Sequence, residues 1–324
     1  MTELEAKPGS EKFEVKEKFE IRYREILAER YDEFIEISKS YIRKGIRVNT
    51  LKISVADLIK RLEKKWNLVP VPWCKEGFWV DHKGKDDKKR YDIGNLLEHQ
   101  QGYIYVQEPA SMIPPIVLET KPGEVVLDMC AAPGSKSSQM AAMMKNKGIL
   151  ISNDSQMDRL TALSINMQRV GASNVLITHM SGHRFKKLEL RFDKVLVDAP
   201  CSGTGTIRRS LKTLDTWGPN LVRKMAADQK QLAASGFEVL KPGGTMIYST
   251  CTMEPEENEG VVNWLLEKYP DAKVEKIELN IKRSPAILEF GKEKYNPQVK
   301  ECLRIWPQDN DSEGFFVAKI RKTE

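Results

Sequence analysis

The chain has 324 residues, of which 40% are hydrophobic and 30% charged, enough to bury the core of one large domain and a smaller module. No stretch approaches the roughly 18 uninterrupted apolar residues of a membrane-spanning helix, and residues 1–10 are too polar for a secretory signal, so we expect no membrane partner. The five cysteines form no C-x-x-C pair, which argues against a zinc site or a disulfide framework and predicts a reduced, cytoplasmic protein without bound metal.

The net charge of +6 is distributed unevenly along the chain. Residues 41–90 carry a local charge of +8, interleaved with four large aromatic residues, Trp66, Trp73, Phe78 and Trp79. This combination predicts an RNA partner, because cations contact phosphates and rings stack on bases. A charged surface whose aromatic rings pack inward explains the same segment equally well.

Hydrophobic spacing predicts a small α+β module at the N-terminus. Its expected elements are an amphipathic helix at 23–40, a strand at 46–51, a helix at 55–65, an interruption at the Val-Pro-Val-Pro run 69–72, a strand at 78–80 and a charged loop at 81–90. We therefore assign residues 1–105 to an N-terminal RNA-binding α+β module.

From residue 121 onward, short apolar strands alternate with helices. Strands are expected at 125–129, 149–153, 175–178, 194–197 and 245–249, and helices at 136–145, 157–170, 219–240 and 256–269. This alternation predicts βαβ units and a parallel sheet that is covered on both faces. Residues 315–320 predict a late edge or antiparallel strand. The fold class is therefore α/β, a doubly wound, mostly parallel sheet that occupies residues 106–324.

The residues with chemically useful side chains follow the predicted strands. Sheets of this kind bind ligands at the carboxyl ends of their strands. The candidates at those ends are Asp128, Cys130, Asp154, Asp198, Cys201 and Cys251. Their clustering predicts a cleft along one edge of the sheet.

The turn after the first strand, residues 127–136, predicts a nucleotide-like cofactor. It lacks G-x-G-x-x-G, but its small residues and Pro-Gly step allow close backbone approach to an adenosyl ligand without phosphates. Asp154, at the end of the second strand, is placed to accept hydrogen bonds from both ribose hydroxyls. A ribose without a diphosphate indicates S-adenosylmethionine. The alternative to a cofactor site is a purely structural one, in which the segment forms a tight turn and the Asp caps a helix.

Cys201 follows the fourth strand and Cys251 the fifth, so the two thiols are expected to face one cleft. Free cysteines are usually inert and buried, but polar neighbours such as Ser249 and Thr252 favour a reactive pair. Methylation of cytosine at carbon 5 requires such a thiol, because a thiolate on carbon 6 makes carbon 5 nucleophilic. Asp198 is placed to act as the acid at ring nitrogen 3, and a second thiol assists release.

Three segments, 128–136, 198–203 and 249–252, resemble the signature motifs of the RNA cytosine-5 methyltransferase family, the Fmu/Sun group. The similarity continues through residues 46–51, 105–112, 304–307 and 314–316. The short N-terminal module resembles that of archaeal tRNA cytosine-5 methyltransferases. The resemblance implies an S-adenosylmethionine-dependent methyltransferase fold and an RNA substrate, with tRNA favoured over ribosomal RNA, and we expect a monomer.

The resemblance also implies roles for individual residues. Cys251 corresponds to the nucleophile, Cys201 to the cysteine of product release, and Asp198 lies between cofactor and cytosine. The implied cofactor-binding residues are Cys130, Ala131, Ala132, Pro133, Gly134, Ser135, Lys136, Asp154, Arg159 and Asp198. The chain departs from the family at Ser181, where an acid usually meets the adenine amine, and at Gln308, where a histidine is common.

Two other functions are consistent with parts of this pattern. A DNA cytosine methyltransferase would also carry a Pro-Cys dipeptide, but its nucleophile would be Cys201. A catalytically silent RNA-binding or assembly protein would need neither cysteine nor Asp198. The presence of all three residues argues against the silent protein, and the family-like Thr250-Cys251 pair with the basic, aromatic N-terminal module favours RNA over DNA.

Overall fold

The computed structural model describes residues 6–7, 10, 14–84 and 92–324. Most of the polar segment 1–10 and most of the charged loop 81–90 lie outside the described residues. In the part of the chain that the structure describes, no helix is long and apolar enough to cross a membrane.

A four-stranded antiparallel sheet forms the centre of the N-terminal region, in the order β2-β3-β1-β4. Its elements are β1 (Lys44–Val48), α3 (Val55–Leu62), β2 (Trp66–Val71), β3 (Cys74–His82), α4 (Leu97–Gln100) and β4 (Ile104–Val106). The expected interruption at 69–72 is wrong, because residues up to Val71 continue β2. Pro70 is tolerated there because β2 is an edge strand. One side of an edge strand has no partner, so the missing N–H of a proline need not cost a hydrogen bond between strands.

The aromatic side chains of this region are buried. Trp66, Trp73, Phe78 and Trp79 are each at most 7% exposed and pack into two hydrophobic clusters. The expectation that these rings stack on RNA bases is therefore wrong, and the inward-packing alternative is correct. Lysines such as Lys60, Lys64 and Lys65 remain exposed on the surface.

Two helices precede the small sheet, α1 (Glu17–Leu27) and α2 (Tyr31–Ser38). The single helix expected at 23–40 is divided by a 3-10 turn in which Ala28 has a positive φ of 48°. Both helices pack against residues far along the chain. Tyr23 stacks on Phe34, and both rings meet the edge of Trp306.

The larger sheet has the order β10-β14-β9-β8-β5-β6-β7, with β13 paired to β14. Its strands are β5 (Val125–Asp128), β6 (Ile149–Asp154), β7 (Val175–His179), β8 (Phe192–Asp198), β9 (Leu240–Thr250), β10 (Ala272–Glu275), β13 (Leu303–Ile305) and β14 (Phe315–Lys322), and β11 (Glu289–Phe290) with β12 (Glu293–Lys294) forms a separate hairpin. The helices are α5 (Ile113–Leu118), α6 (Ser135–Met143), α7 (Met157–Val170), α8 (Thr213–Thr216), α9 (Pro219–Glu238), α10 (Glu259–Lys268) and α11 (Pro307–Asn310).

Helices cover both faces of this sheet, as the continuous apolar strands predicted. Leu127 and Val195 face a core that includes α9 and α10, whereas Val126 and Leu196 face a core that includes α5 and α6. β7, β6, β5, β8 and β9 are parallel, and β14 is antiparallel to β9. β14 is not an edge strand, because β10 and β9 flank it. The chain reverses its direction of winding between β5 and β8, the position where such sheets bind ligands.

Candidate active site

Two cysteines lie side by side at the carboxyl ends of adjacent parallel strands. Cys201 lies in the loop after β8, and Cys251 follows β9 directly. The strand register pairs Asp198 with Ser249, so both loops leave the sheet at the same level. The two sulfur atoms are 3.3 Å apart, and both thiols are free and half-buried. The structure thus brings the two predicted reactive thiols together.

The two thiols differ in their electrostatic environment. The hydrogen bond to Cys251, together with burial and the charge of Glu257, raises the pKa of the Cys201 thiol well above its ordinary value. Cys201 therefore remains protonated at neutral pH, and its S–H can donate to the neighbouring sulfur. This arrangement places a neutral thiol at Cys201 within hydrogen-bonding distance of Cys251 Sγ.

Buried hydroxyl groups connect the two cysteine loops. Thr252 Oγ1 lies 2.7 Å from Ser202 Oγ and 3.0 Å from Thr204 Oγ1. The Glu257 carboxylate accepts the Ser202 backbone N–H at 3.0 Å and Gln229 Nε2 at 2.8 Å. Burial raises the pKa of Glu257 to about 7, against the opposing effect of these hydrogen bonds. The polar residues beside the cysteines therefore fix the loops relative to each other.

Asp198 lies beside the cysteines in a network of hydrogen bonds. Its Oδ2 accepts from Lys136 Nζ at 2.6 Å, and its Oδ1 accepts from Ser249 Oγ at 2.7 Å. Lys136 Nζ also donates to Ser111 Oγ at 2.9 Å and lies 5.4 Å from the centre of the Phe315 ring. The Asp198 side chain is 26% exposed, so a ligand can still reach it.

Lys136 is a buried cation surrounded by negative groups. Burial alone would lower its pKa, but the charge and hydrogen bond of Asp198, helped by the charges of Asp128 and Cys251, raise the pKa above its usual value. Lys136 therefore remains positively charged at neutral pH. Lys136 thus provides a fixed positive charge beside Asp198.

A cleft adjoins this cluster along the carboxyl ends of β5, β6 and β7. Its lining residues are Met129, Cys130, Asp154, Ser155, Gln156, Arg159, Ser181, Gly182, His183, Pro200, Asp228 and Leu232. Three of the predicted cofactor-binding residues, Cys130, Asp154 and Arg159, are among them. The other predicted cofactor-binding residues, 131–136 and Asp198, are not part of this lining.

Asp154 connects the turn after β5 to helix α7. Its side chain is buried, and its Oδ2 accepts the Ala132 backbone N–H at 3.2 Å and lies 3.3 Å from Arg159 Nη1. Its Oδ1 accepts the Gln156 N–H at 3.0 Å. Arg159 also donates to the Ala132 carbonyl oxygen. Both residues therefore shape the turn as well as the cleft.

Glycine is required at the centre of this turn. Gly134 has a φ of +103°, and a Cβ atom there would lie 2.6 Å from Met167 Cε and 2.9 Å from Leu163 Cδ1. Ala131 and Ala132 pack against the same two side chains of α7. The small residues that suggested a cofactor turn therefore also allow the turn to approach helix α7.

Acidic side chains surround Cys130 at one end of the cleft. Asp128 is buried, and burial raises its pKa to about 7, while Ser137 Oγ donates to its Oδ2 at 2.6 Å. Its Oδ1 is buried without a hydrogen-bond partner among the described residues. Burial and then the charges of Asp128, Asp198 and Asp154 raise the pKa of Cys130 well above its usual value. The acidic side chains of Asp154 and Asp198 beside Cys130 fit S-adenosylmethionine, which carries positive ammonium and sulfonium groups.

Several residues of the site were not predicted from the sequence. Ser111 and Phe315 contact Lys136, and both lie in segments that carried the family resemblance. His183 and Asp228 line the cleft, but Asp228 lies inside a long helix where no local pattern indicates a site. Among residues 6–7, 10, 14–84 and 92–324, no cluster of His, Cys, Asp and Glu could hold a metal ion.

Both the N-terminal and the C-terminal part of the chain match models of known protein families. Residues 115–321 match the model of the 16S rRNA methyltransferase RsmB/F, and residues 15–109 match that of the N-terminal domain of the 16S rRNA methyltransferase RsmF. The chain is 45% identical over 305 residues to the tRNA (cytosine(49)-C(5))-methyltransferase of Pyrococcus abyssi, covering 91% of this chain and 95% of that protein. It is 42% identical over 298 residues to ribosomal RNA small subunit methyltransferase F of Escherichia coli, covering 91% of this chain and 60% of that protein.

Solved structures share the same fold. A methyltransferase homologue from Pyrococcus horikoshii superposes with a TM-score of 0.85 at 37% identity, covering 98% of this chain and 99% of that chain. NSun6 from the same organism, solved with the S-adenosylmethionine analogue SFG, gives a TM-score of 0.83 at 23% identity, covering 95% and 98% of the two chains, and supports the fold alone. The chain therefore belongs to the RsmB/F family of S-adenosylmethionine-dependent RNA cytosine-5 methyltransferases, as the motifs around its two paired cysteines predicted.

Proposed function

We propose that the chain methylates carbon 5 of cytosine in tRNA, with Cys251 as the nucleophile and Cys201 as the residue that helps to release the product. The observation that carries this proposal is the 3.3 Å distance between the two sulfur atoms, beside Asp198, at adjacent strand ends. The similarity to the P. abyssi tRNA enzyme, which extends over 95% of that protein, supports tRNA as the substrate. Ribosomal RNA is the second candidate, supported by the match of residues 15–109 to the RsmF N-terminal domain.

In the proposed reaction, the Cys251 thiolate forms a bond to carbon 6 of cytosine, and an electron pair moves toward carbon 5. A proton from water taken up at ring nitrogen 3 offsets the negative charge that develops there, and Asp198 accepts a hydrogen bond from this N–H until the proton returns to water when the ring is restored. S-adenosylmethionine, when bound, supplies an electrophilic methyl group for carbon 5. Loss of the carbon-5 proton to a base then allows the bond between carbon 6 and sulfur to break, and the sulfur leaves as a thiolate beside Cys201.

The proposed cofactor site combines the cleft with the turn before it. The ribose hydroxyls would bind Asp154, which Arg159 supports, and the methionine portion would lie along the turn from Cys130 to Lys136. The residues proposed to contact the cofactor are Cys130, Ala131, Ala132, Pro133, Gly134, Ser135, Lys136, Asp154, Arg159 and Asp198.

Replacing Asp154 with alanine is expected to weaken cofactor binding by about 10- to 100-fold. The ribose hydroxyls would lose a charged acceptor, and such hydrogen bonds contribute roughly 1.5–3 kcal/mol. Calorimetry with S-adenosylhomocysteine measures the change, and RNA binding without cofactor should persist. Asp158→Ala, an exposed carboxylate of α7, is the matched control. Unchanged affinity in Asp154→Ala would exclude Asp154 as the ribose ligand.

We propose that residues 1–105 bind RNA and residues 106–324 catalyse methyl transfer. The exposed lysines of the small sheet and α3 support an electrostatic contribution to RNA binding. Helices α1 and α2 pack against the catalytic part, so the RNA-binding surface would be held rigidly beside the cleft. We also propose that the protein acts as a monomer and works in the cytoplasm with its RNA substrates.

The choice of substrate is tested by methylation in vitro. Purified protein with S-adenosylmethionine is expected to modify a tRNA transcript, and bisulfite sequencing should map the modified cytosine. Small-subunit ribosomal RNA serves as the competing substrate, and Cys251→Ala as the inactive control. Methylation of ribosomal RNA without methylation of tRNA would reverse the assignment in favour of the second candidate.

A further inference from the structure

The cleft extends past Asp154 toward the end of β7. Because β5, β6 and β7 are neighbours in this order, their ends can hold successive parts of an elongated ligand. With the methionine portion beside β5 and the ribose at Asp154 on β6, the adenine ring would reach the residues after β7. The lining residues there are Ser181, Gly182 and His183, and helix α9 adds Asp228 and Leu232.

An apolar surface borders this part of the cleft. A Cβ atom at Gly182 would lie 2.6 Å from Leu232 Cδ2 and 3.0 Å from Met129 Cγ, so the backbone is in close contact with both side chains. Leu232 and Met129 also line the cleft. Apolar side chains in such a position suit a flat aromatic ring, whose edge must then find polar partners.

Asp228 is the carboxylate of this part of the cleft. Its Oδ1 lies 2.8 Å from His183 Nε2. The other ring nitrogen, His183 Nδ1, is buried and has no hydrogen-bond partner among the described residues, which indicates that the ring proton is on Nε2 and is donated to Asp228. Among those residues no hydrogen bond is made to Asp228 Oδ2, so this oxygen can accept from a ligand. Ser181 offers only a neutral hydroxyl.

We propose that Asp228, positioned by His183, accepts a hydrogen bond from the adenine amino group of the cofactor and selects adenine over its 6-oxo analogue. This rests on the proposed placement of the ribose at Asp154. An amino group donates to a carboxylate, whereas a 6-oxo group would place an acceptor against it. Asp228 is therefore a specificity-determining residue, and His183 is a positioning residue.

Calorimetry with two ligands tests the proposal. S-adenosylhomocysteine carries the amino group, and S-inosylhomocysteine has a carbonyl oxygen in its place. The wild-type protein should prefer the adenosyl ligand by roughly tenfold or more, because the inosyl ligand cannot form the charged hydrogen bond to Asp228. The expected preference is at the lower end for a charged hydrogen bond, because the Asp228 side chain is half exposed to water. In Asp228→Ala this preference should fall to within about twofold, mostly through weaker binding of the adenosyl ligand.

The controls separate this proposal from the placement of the cofactor. Gln231→Ala, on the same helix but outside the cleft, should keep the wild-type preference. Asp154→Ala should weaken both ligands by the same factor, because both carry the ribose. Since Asp228 is half exposed in a helix, alanine should not disturb folding, and thermal unfolding checks this. A wild-type preference retained in Asp228→Ala overturns the proposal, whereas unchanged affinities in Asp154→Ala overturn the placement on which it rests.

Discussion

Cys251→Ala is expected to abolish methylation, with a loss of roughly 10⁴-fold or more, because it removes the thiol proposed to add to carbon 6. Neither methylated RNA nor a covalent protein–RNA complex should form. Transfer of labelled methyl groups measures the first, and a denaturing gel after incubation with RNA and S-adenosylmethionine measures the second. Cofactor affinity should remain near the wild-type value, because Cys251 is proposed to contact the cytosine and not the cofactor.

Cys201→Ala should fail in a different way. Attack by Cys251 and methylation of carbon 5 remain possible, but breakdown of the adduct slows, so a stable protein–RNA complex should accumulate on the gel. The structure supports this division, because the hydrogen bond between the sulfurs keeps Cys201 a protonated thiol. Cys74→Ala, which changes a free buried thiol of the small sheet, is the control and should give neither defect.

Two outcomes would contradict these roles. An adduct in Cys251→Ala but not in Cys201→Ala would mean that Cys201 is the nucleophile, as in DNA cytosine methyltransferases. Activity in both variants without any adduct would exclude covalent catalysis. Because the two sulfurs are only 3.3 Å apart, position alone does not distinguish these outcomes, and the adduct assay does.

The sequence predicted the ligand-binding edge of the sheet more accurately than the N-terminal region. Expected strands such as 149–153 and 194–197 correspond closely to Ile149–Asp154 and Phe192–Asp198, because buried parallel strands are short continuous apolar runs. Once the strands are known, the parallel pairing that βαβ connections produce brings their carboxyl ends to one edge of the sheet. The meeting of Cys201 and Cys251 follows from this topology.

Features that depend on tertiary packing were not visible in the sequence. β2 was missed because a proline pair usually ends a strand, and only its edge position makes Pro70 acceptable. The direction in which Trp66 and Trp79 face depends on neighbours far along the chain. Asp228 could not be recognised, because an acid in the middle of an amphipathic helix is usually solvated, and its partner His183 is 45 residues away.

Asp198→Asn is expected to lower kcat by about 10²- to 10⁴-fold, the range typical of a lost proton-transfer group. The amide keeps the shape of the side chain but cannot hold the proton at ring nitrogen 3, and it leaves the buried Lys136 cation without its 2.6 Å carboxylate partner. KM for S-adenosylmethionine should change much less than kcat if the main role of Asp198 is toward cytosine. Steady-state kinetics with varied cofactor at saturating RNA separates the two parameters.

Asp193→Asn provides a matched control for this substitution. Asp193 lies on the same strand β8 near its opposite end and also pairs with a lysine, Lys241 Nζ, at 2.7 Å. A general effect of removing a carboxylate from β8 would appear in both variants, whereas a chemical role should appear only in Asp198→Asn.

The double variant Cys201→Ala/Asp198→Asn then shows at which step of the reaction Asp198 acts. If Asp198 assists addition to carbon 6, the adduct that builds up in Cys201→Ala should form far more slowly in the double variant. An adduct that forms at an unchanged rate would show that Asp198 acts after methyl transfer, and would contradict its proposed role at nitrogen 3.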